Sequence, residues 1–155
     1  VSDVRIRPIG PDDAGEVLTL QRAAFVQEAQ VYGSADMPAL TQTLEAVVAE
    51  LAENDGCVAH IGARMVGAVR ARHDGALLLI GRIAIAPDVQ GEGVGSALLA
   101  AVEQRGRGLG CTEAELFTGS LSEANLRLYE REGYAETQRV ATGDGIDEVY
   151  LRKQL

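Results

Sequence analysis

Tryptophan is missing from this chain, and other aromatics are scarce: Phe 2 and Tyr 4 in 155 residues. Aliphatic side chains must therefore fill the core, and each tyrosine gains weight as a candidate for chemistry. Lysine occurs once, at Lys153, so almost every cation is an arginine. Asp and Glu number 23 against 14 Lys and Arg, for a net charge of −9. That balance argues against a nucleic-acid partner, which needs clustered cations to neutralise phosphates; it suits a cationic partner such as an amine, or serves solubility alone. Cysteine is limited to Cys57 and Cys111, outside any C-x-x-C pair. A disulfide scaffold is thereby excluded, and a reducing compartment, the cytoplasm, is the expectation. No uncharged run reaches spanning length, and Val1–Pro8, with Asp3, Arg5 and Arg7, lacks the apolar core of a signal peptide. No membrane partner is expected. No His/Cys/Asp group has metal-ligand spacing and no G-x-S-x-G elbow occurs, so neither a metal site nor a serine hydrolase is expected.

What is present is ordinary for a folded protein: 46% hydrophobic and 24% charged residues, over a length that suits one domain, residues 1–155. Val4–Arg7 alternates as a short strand. Gly10–Asp13 turns into a helix whose apolar stripe is Val17, Leu18, Leu20, Ala24 and Phe25, and Gly33–Pro38 ends it. A second helix is expected over Thr41–Glu53. Cys57–Ile61 and Met65–Arg72 read as a hairpin about Gly62-Ala63-Arg64, followed by a turn at His73-Asp74-Gly75. Leu77–Ala86 is apolar throughout and reads as a central strand buried on both faces, ended by Pro87. A helix from Gly93 to about Arg107, a strand Glu113–Thr118, a helix Ser122–Arg131 and strands Ala135–Val140 and Asp147–Leu151 complete a mixed α/β order, βααβββαβαββ.

The sharpest local signal is Gln90-Gly91-Glu92-Gly93-Val94-Gly95-Ser96, between the long apolar strand and an amphipathic helix. Glycines there let main-chain amides approach a phosphate, whose charge the helix N-terminus stabilises. A P-loop needs lysine after its glycines, and Lys153 is far away. A dinucleotide fingerprint needs glycine where Ser96 stands, directly after its strand, whereas Pro87–Gln90 intervenes. A third form, Q/R-x-x-G-x-G/A, fits at Gln90, Gly93 and Gly95. A plain loop–helix turn is the competing reading.

That third form resembles the pyrophosphate-binding motif of the GNAT superfamily of N-acetyltransferases, and Ile83-Ala84-Ile85-Ala86-Pro87 is similar to the strand leading into it. Farther on, Ser122–Tyr134 resembles the family's N-x-x-x-Y-x-x-x-G-[FY] segment through Asn125, Tyr129, Gly133 and Tyr134. The resemblance spans the chain, most weakly over residues 26–40. It implies the GNAT acyl-CoA N-acyltransferase fold, α/β (α+β), with a mixed central sheet splayed between the fourth and fifth strands. It implies acetyl-CoA as donor, paired with main chain at Ile83, Ala84 and Ile85. The loop Gln90, Gly91, Glu92, Gly93, Val94, Gly95 and Ser96 would hold its pyrophosphate, and Asn125 would contact it.

Acetyl transfer to a primary amine in a ternary complex is the implied reaction. A main-chain N–H near Ile85 would stabilise the oxyanion, and Tyr129 would protonate the departing sulfur. Arg105, Arg107, Arg127 and Arg131 are candidates for the terminal phosphate. Some family members carry a catalytic glutamate at the position of Leu79, so a base is sought elsewhere. Glu28 and Tyr32 are candidates by position, while His60 and His73 match no family role. Acceptor choice is expected from Gln27–Leu40 and Thr142–Asp147, where Glu28, Asp36 and Asp144 could draw a cation. A homodimer is a family expectation. The alternative function is a non-catalytic acyl-CoA-binding or sensing module, drawn from the missing strand carboxylate.

Overall fold

The computed structural model describes residues 3–155; Val1 and Ser2, part of the segment read for a signal peptide, lie outside them. Among the described residues the strands are β1 (Val4–Pro8), β2 (Asp55–Ile61), β3 (Arg64–Asp74), β4 (Leu77–Ile85), β5 (Glu113–Gly119), β6 (Ala135–Ala141) and β7 (Asp147–Gln154). The helices are α1 (Ala14–Tyr32), α2 (Pro38–Thr41), α3 (Leu44–Glu53), α4 (Val94–Gly108) and α5 (Glu123–Arg131). One sheet runs in the order β1-β2-β3-β4-β5-β7-β6. Neighbours are antiparallel except β4 and β5, which are parallel.

The parallel pair is short. Leu77, Leu78 and Leu79 face Glu113, Ala114 and Glu115, and the strands then part. A bulge in β4 accompanies the parting. Ala68 of β3 faces Ala84 and Arg70 faces Gly81, so Arg82 and Ile83 together oppose one β3 residue. Arg82 takes φ +52°, a left-handed conformation that among the described residues no other non-glycine adopts. It costs an L-residue about 1–2 kcal/mol, and the extra residue bends the strand.

Side-chain parity along β3 explains the layers. Gly67 lies under α4, and a Cβ there would stand 2.8 Å from Leu98 Cδ1 and 2.9 Å from Val94 Cγ1. Three residues on, Arg70 faces the other side. Both its terminal nitrogens donate to Gln21 Oε1 of α1 at 3.1 Å, and its Nε lies 2.9 Å from Glu50 of α3. The Glu50 contact is a charge pairing rather than a directed hydrogen bond, since that Nε has no acceptor in line. Gln21 also donates to the Ala39 carbonyl of α2 at 3.0 Å. Helices therefore cover both faces, and a buried polar knot rather than apolar packing alone locates α2 and α3 against α1.

The element readings stand with some shifts. Pro38 starts the short helix α2 instead of only ending its predecessor, and Thr43 caps α3 by accepting from the Ala46 amide at 3.2 Å. The helix expected over Thr41–Glu53 is thus two pieces. Strand β3 runs to Asp74, which tightens the turn onto Gly75 (φ +60°). The expectation of a β4 buried on both faces does not hold. Leu78, Ile80 and Ala84 are buried, whereas Gly81 is exposed and Arg82, Ile83 and Ile85 are only partly covered. With β5 gone from its side, the second half of β4 borders open space.

Replacing Gly67 by alanine should push α4 off β3 and lower unfolding free energy by about 1–3 kcal/mol. Gly108→Ala, where a Cβ meets nothing within 4 Å, should be neutral or stabilise by up to about 1 kcal/mol. Urea unfolding of the two variants beside the parent decides the matter.

Candidate active site

The gap between β4 and β5 opens into a cleft of about 700 Å³, bordered by Ile83 and Ile85, the loop before α4, the start of α5 and the second half of α1. Its floor offers free main chain. Ala86 donates its amide to the Val66 carbonyl of β3 at 2.8 Å. In an antiparallel ladder adjacent residues alternate in direction, so the polar groups of Ile85 turn to the opposite edge, where β5 has already departed.

The glycine loop closes one end. Gly91 and Gly93 have φ +81° and +89°, and Gly93 is the residue that precedes α4. The first intrahelical bond runs from the Ala97 amide to the Gly93 carbonyl at 3.1 Å. The amides of Val94, Gly95 and Ser96 consequently lack intrahelical acceptors and sit at the positive end of the helix. A Cβ on Gly95 would lie 3.0 Å from Leu128 Cδ2, so this turn also packs tightly on α5. An anion on the cleft side of the loop meets main-chain donors first.

A second cavity, about 300 Å³, adjoins the first, and Phe25, Glu28, Ile83, Ser122 and Asn125 line both. Across their junction runs a hydrogen-bonded chain that local sequence did not reveal. Ser122 Oγ donates to Glu28 Oε2 at 2.6 Å and lies 2.7 Å from the Tyr32 hydroxyl. A serine has one hydroxyl proton. With that proton on the carboxylate, Tyr32 must donate to Ser122. The chain Tyr32→Ser122→Glu28 latches the end of α1 to the start of α5. Gly119 makes room for it, since a Cβ there would lie 2.1 Å from the Tyr32 oxygen. Ser122 precedes α5, yet its side chain makes no cap bond to that helix.

Tyr129 lines the second cavity and is buried, packed edge-on against Tyr134 with ring centroids 6.3 Å apart. Burial, with the nearby Glu28 charge, pushes its pKa well above the ordinary tyrosine value. Tyr134 belongs to the core instead: its hydroxyl donates to Glu103 at 2.7 Å, and Lys153 donates to the same carboxylate at 2.9 Å. Gly133 (φ +98°) stops α5.

Of the expected residues, Ile83, Ile85, Gln90, Gly91, Gly93, Val94, Gly95, Ser96 and Asn125 border the cleft. Two do not. Ala84 is buried on the opposite face of β4 by strand alternation, and Glu92, exposed between the two glycines, lines neither cavity. Ser96 Oγ donates to Glu132 at 2.9 Å, and the Asn125 amide donates to Thr118 at 3.4 Å. Arg127 and Arg131 border the cleft. Arg105 and Arg107 are at the far end of α4, where Arg105 pairs with Asp55 at 2.9 Å. Twelve residues of helix put Arg105 about 18 Å from Gly93. Leu79 borders neither cavity, so its lack of a carboxylate takes nothing from either. His60, His73, Asp36 and Asp144 also lie outside both. Among the described residues no group of three His, Cys, Asp or Glu is placed to hold a metal ion, and no helix is long and apolar enough to cross a membrane.

A family model described as the acetyltransferase (GNAT) family matches residues 16–134. No curated protein sequence matches the chain. Solved structures share its fold at low identity. The PaiA N-acetyltransferase of Thermoplasma acidophilum, in complex with coenzyme A, is 15% identical with a TM-score of 0.81, over 98% of this chain and 99% of that one. The ribosomal-protein-S18-alanine N-acetyltransferase of Escherichia coli is 18% identical with a TM-score of 0.78, over 97% and 93%. The yncA protein of Salmonella typhimurium, with its cofactor acetyl-CoA, is 19% identical with a TM-score of 0.75, over 99% and 95%.

The latch has a measurable strength. Ser122→Ala removes both of its hydrogen bonds and leaves Glu28 without its hydroxyl donor, which should cost about 1–3 kcal/mol in urea unfolding. Tyr32→Phe removes one bond and should cost less. Equal costs would show that the Ser122–Glu28 bond contributes nothing.

Proposed function

The chain belongs to the acetyltransferase (GNAT) family, and on that premise we propose that it transfers an acetyl group from acetyl-CoA to a primary amine within a ternary complex. One observation carries the reading: three unpaired amides at the start of α4 close a cleft whose floor is the free edge of β4. The pyrophosphate lies on the amides of Val94, Gly95 and Ser96, with Gly91 and Gly93 giving close access. The pantetheine arm pairs with main chain at Ile83 and Ile85 as an added strand would. This places the thioester where the two cavities meet, beside Glu28, Asn125 and Ser122.

There the neutral amine nitrogen attacks the thioester carbonyl carbon, the carbon–sulfur bond breaks, and coenzyme A leaves as its thiolate, which solvent protonates on release. Glu28 accepts the proton released by the nitrogen, through water where the amine is not in direct contact; Ser122 and Tyr32 hold the carboxylate in place. The Ile85 amide faces the developing oxyanion. Tyr129 donates to the departing sulfur. Burial holds its proton firmly, so it supplies a hydrogen bond while the thiolate forms, and a thiolate of pKa about 8.5 needs little more. The acidic, lysine-poor chain is at home with a cationic acceptor, and the cytoplasm, where acetyl-CoA is abundant, is the compartment this activity suits.

Calorimetric titration with acetyl-CoA should give micromolar binding, lost in Gly93→Arg and Gly95→Arg. Absence of binding by the folded parent would defeat the proposal. Tyr129→Phe should leave that binding unchanged and lower kcat about a hundredfold. Because the Tyr129 pKa is raised, the protonated form persists to higher pH. The alkaline loss of kcat that an ordinary tyrosine would impose near pH ~10 should therefore be absent.

A further inference from the structure

Among the described residues Arg82 is the one cation lining the second cavity, and it makes neither a hydrogen bond nor an ion pair there. Its Nε is buried without an acceptor. The neighbouring charge aggravates this: Arg70, close enough to feel Arg82 as a repulsion, has already spent its contacts on Gln21 and Glu50. A guanidinium in a partly dry wall with no acceptor is unfavourable unless something brings an anion to it. The backbone holds it there by the left-handed conformation at φ +52°, which keeps this side chain on the cavity wall at the bulge.

Among the described residues one carboxylate lines the same cavity, Glu28, which also borders the first cleft, while Arg82 borders the second cavity alone. Much of the remaining lining is apolar, with Phe25, Met37, Ile80, Leu116 and Phe117 beside a few hydroxyl and amide groups. We propose that the acceptor is an amine that also carries a carboxylate, an apolar α-amino acid, its nitrogen at Glu28 and its carboxylate on Arg82. A bidentate guanidinium–carboxylate pair through Nε and one terminal nitrogen gives the orphaned donor its acceptor. The inference rests on the acetyl-transfer reading for the direction of the nitrogen and on Arg82 alone for the carboxylate.

The test pairs methionine and phenylalanine with their decarboxylated amines, followed by thiol release from acetyl-CoA, in the parent, Arg82→Gln and Arg82→Lys. The parent should prefer the amino acids. Arg82→Gln should lower kcat/KM for them about a hundredfold, mostly through KM, with the decarboxylated amines unaffected. Arg82→Lys should restore part of the loss. Unchanged acetyl-CoA affinity and melting temperature in each variant exclude a general defect. A parent that prefers the decarboxylated amines, or an Arg82→Gln that weakens both series equally, overturns the inference while leaving acetyl transfer intact. Should no amine release thiol, calorimetric binding of methionine or phenylalanine to the coenzyme A complex decides. Arg82-dependent binding upholds the carboxylate site and fails the enzyme; no binding fails both.

Discussion

Everything at the candidate site depends on β4 and β5 separating after Leu79 and Glu115. A sheet gains by continuing its ladder, because each unpaired amide or carbonyl left in a dry place is costly. Here the ladder stops after three pairs, and three features keep it from closing. The bulge at Arg82 and Ile83 bends β4. The β4–α4 loop leaves the sheet at Pro87 and returns as a helix packed hard on β3 through Gly67. The latch from Tyr32 through Ser122 to Glu28 draws α1 and α5 together across the opening. The free edge of β4 is a consequence of these constraints rather than a defect in pairing.

The site then uses few charges. An acidic chain with −9 net charge is a poor host for a polyanion if side chains must do the work. Main-chain donors at a helix start avoid that conflict, since they carry partial positive charge whatever the sequence around them contains. Gly95 serves a second purpose, letting Leu128 of α5 pack against the same turn. Thus the anion-facing loop and the wall of the cleft are one packed unit, and the arginines able to add charge, Arg127 and Arg131, are on that wall.

The legible parts of the fold were those governed by local rules. The glycine loop, the stop at Gly133 and the strand–helix alternation follow from dihedral preference and hydrophobic period, so the loop residues other than Glu92 read as a helix-start turn from the sequence, while Asn125 comes only through the family resemblance. Three things could not be read this way. Leu77–Ile85 is apolar at almost every position, and that composition cannot distinguish a strand covered on both faces from one that borders a cavity. Ser122 lies 90 residues from Tyr32 and 94 from Glu28, and no local pattern marks hydroxyls that meet at such separation. Arg105 and Arg107 read as equal to Arg127 and Arg131 until helix length puts them at opposite ends.

Arg82 belongs to a different category, because its sequence context is unremarkable while its structural one is not. An isoleucine there would have matched the apolar run and removed an uncompensated charge, and a glycine would have relieved the left-handed backbone. The chain has neither. Local propensity, solvation and charge balance all argue against arginine at this bulge, and such agreement in disfavour is expected where function rather than stability sets the residue. Arg70 offers the internal comparison: more deeply buried in the same region, it is supplied with Gln21 and Glu50, so the fold is able to satisfy a guanidinium when the guanidinium is structural. Leaving Arg82 without that provision, at the wall of a cavity that a carboxylate also lines, is the arrangement a ligand of two opposite charges would complete.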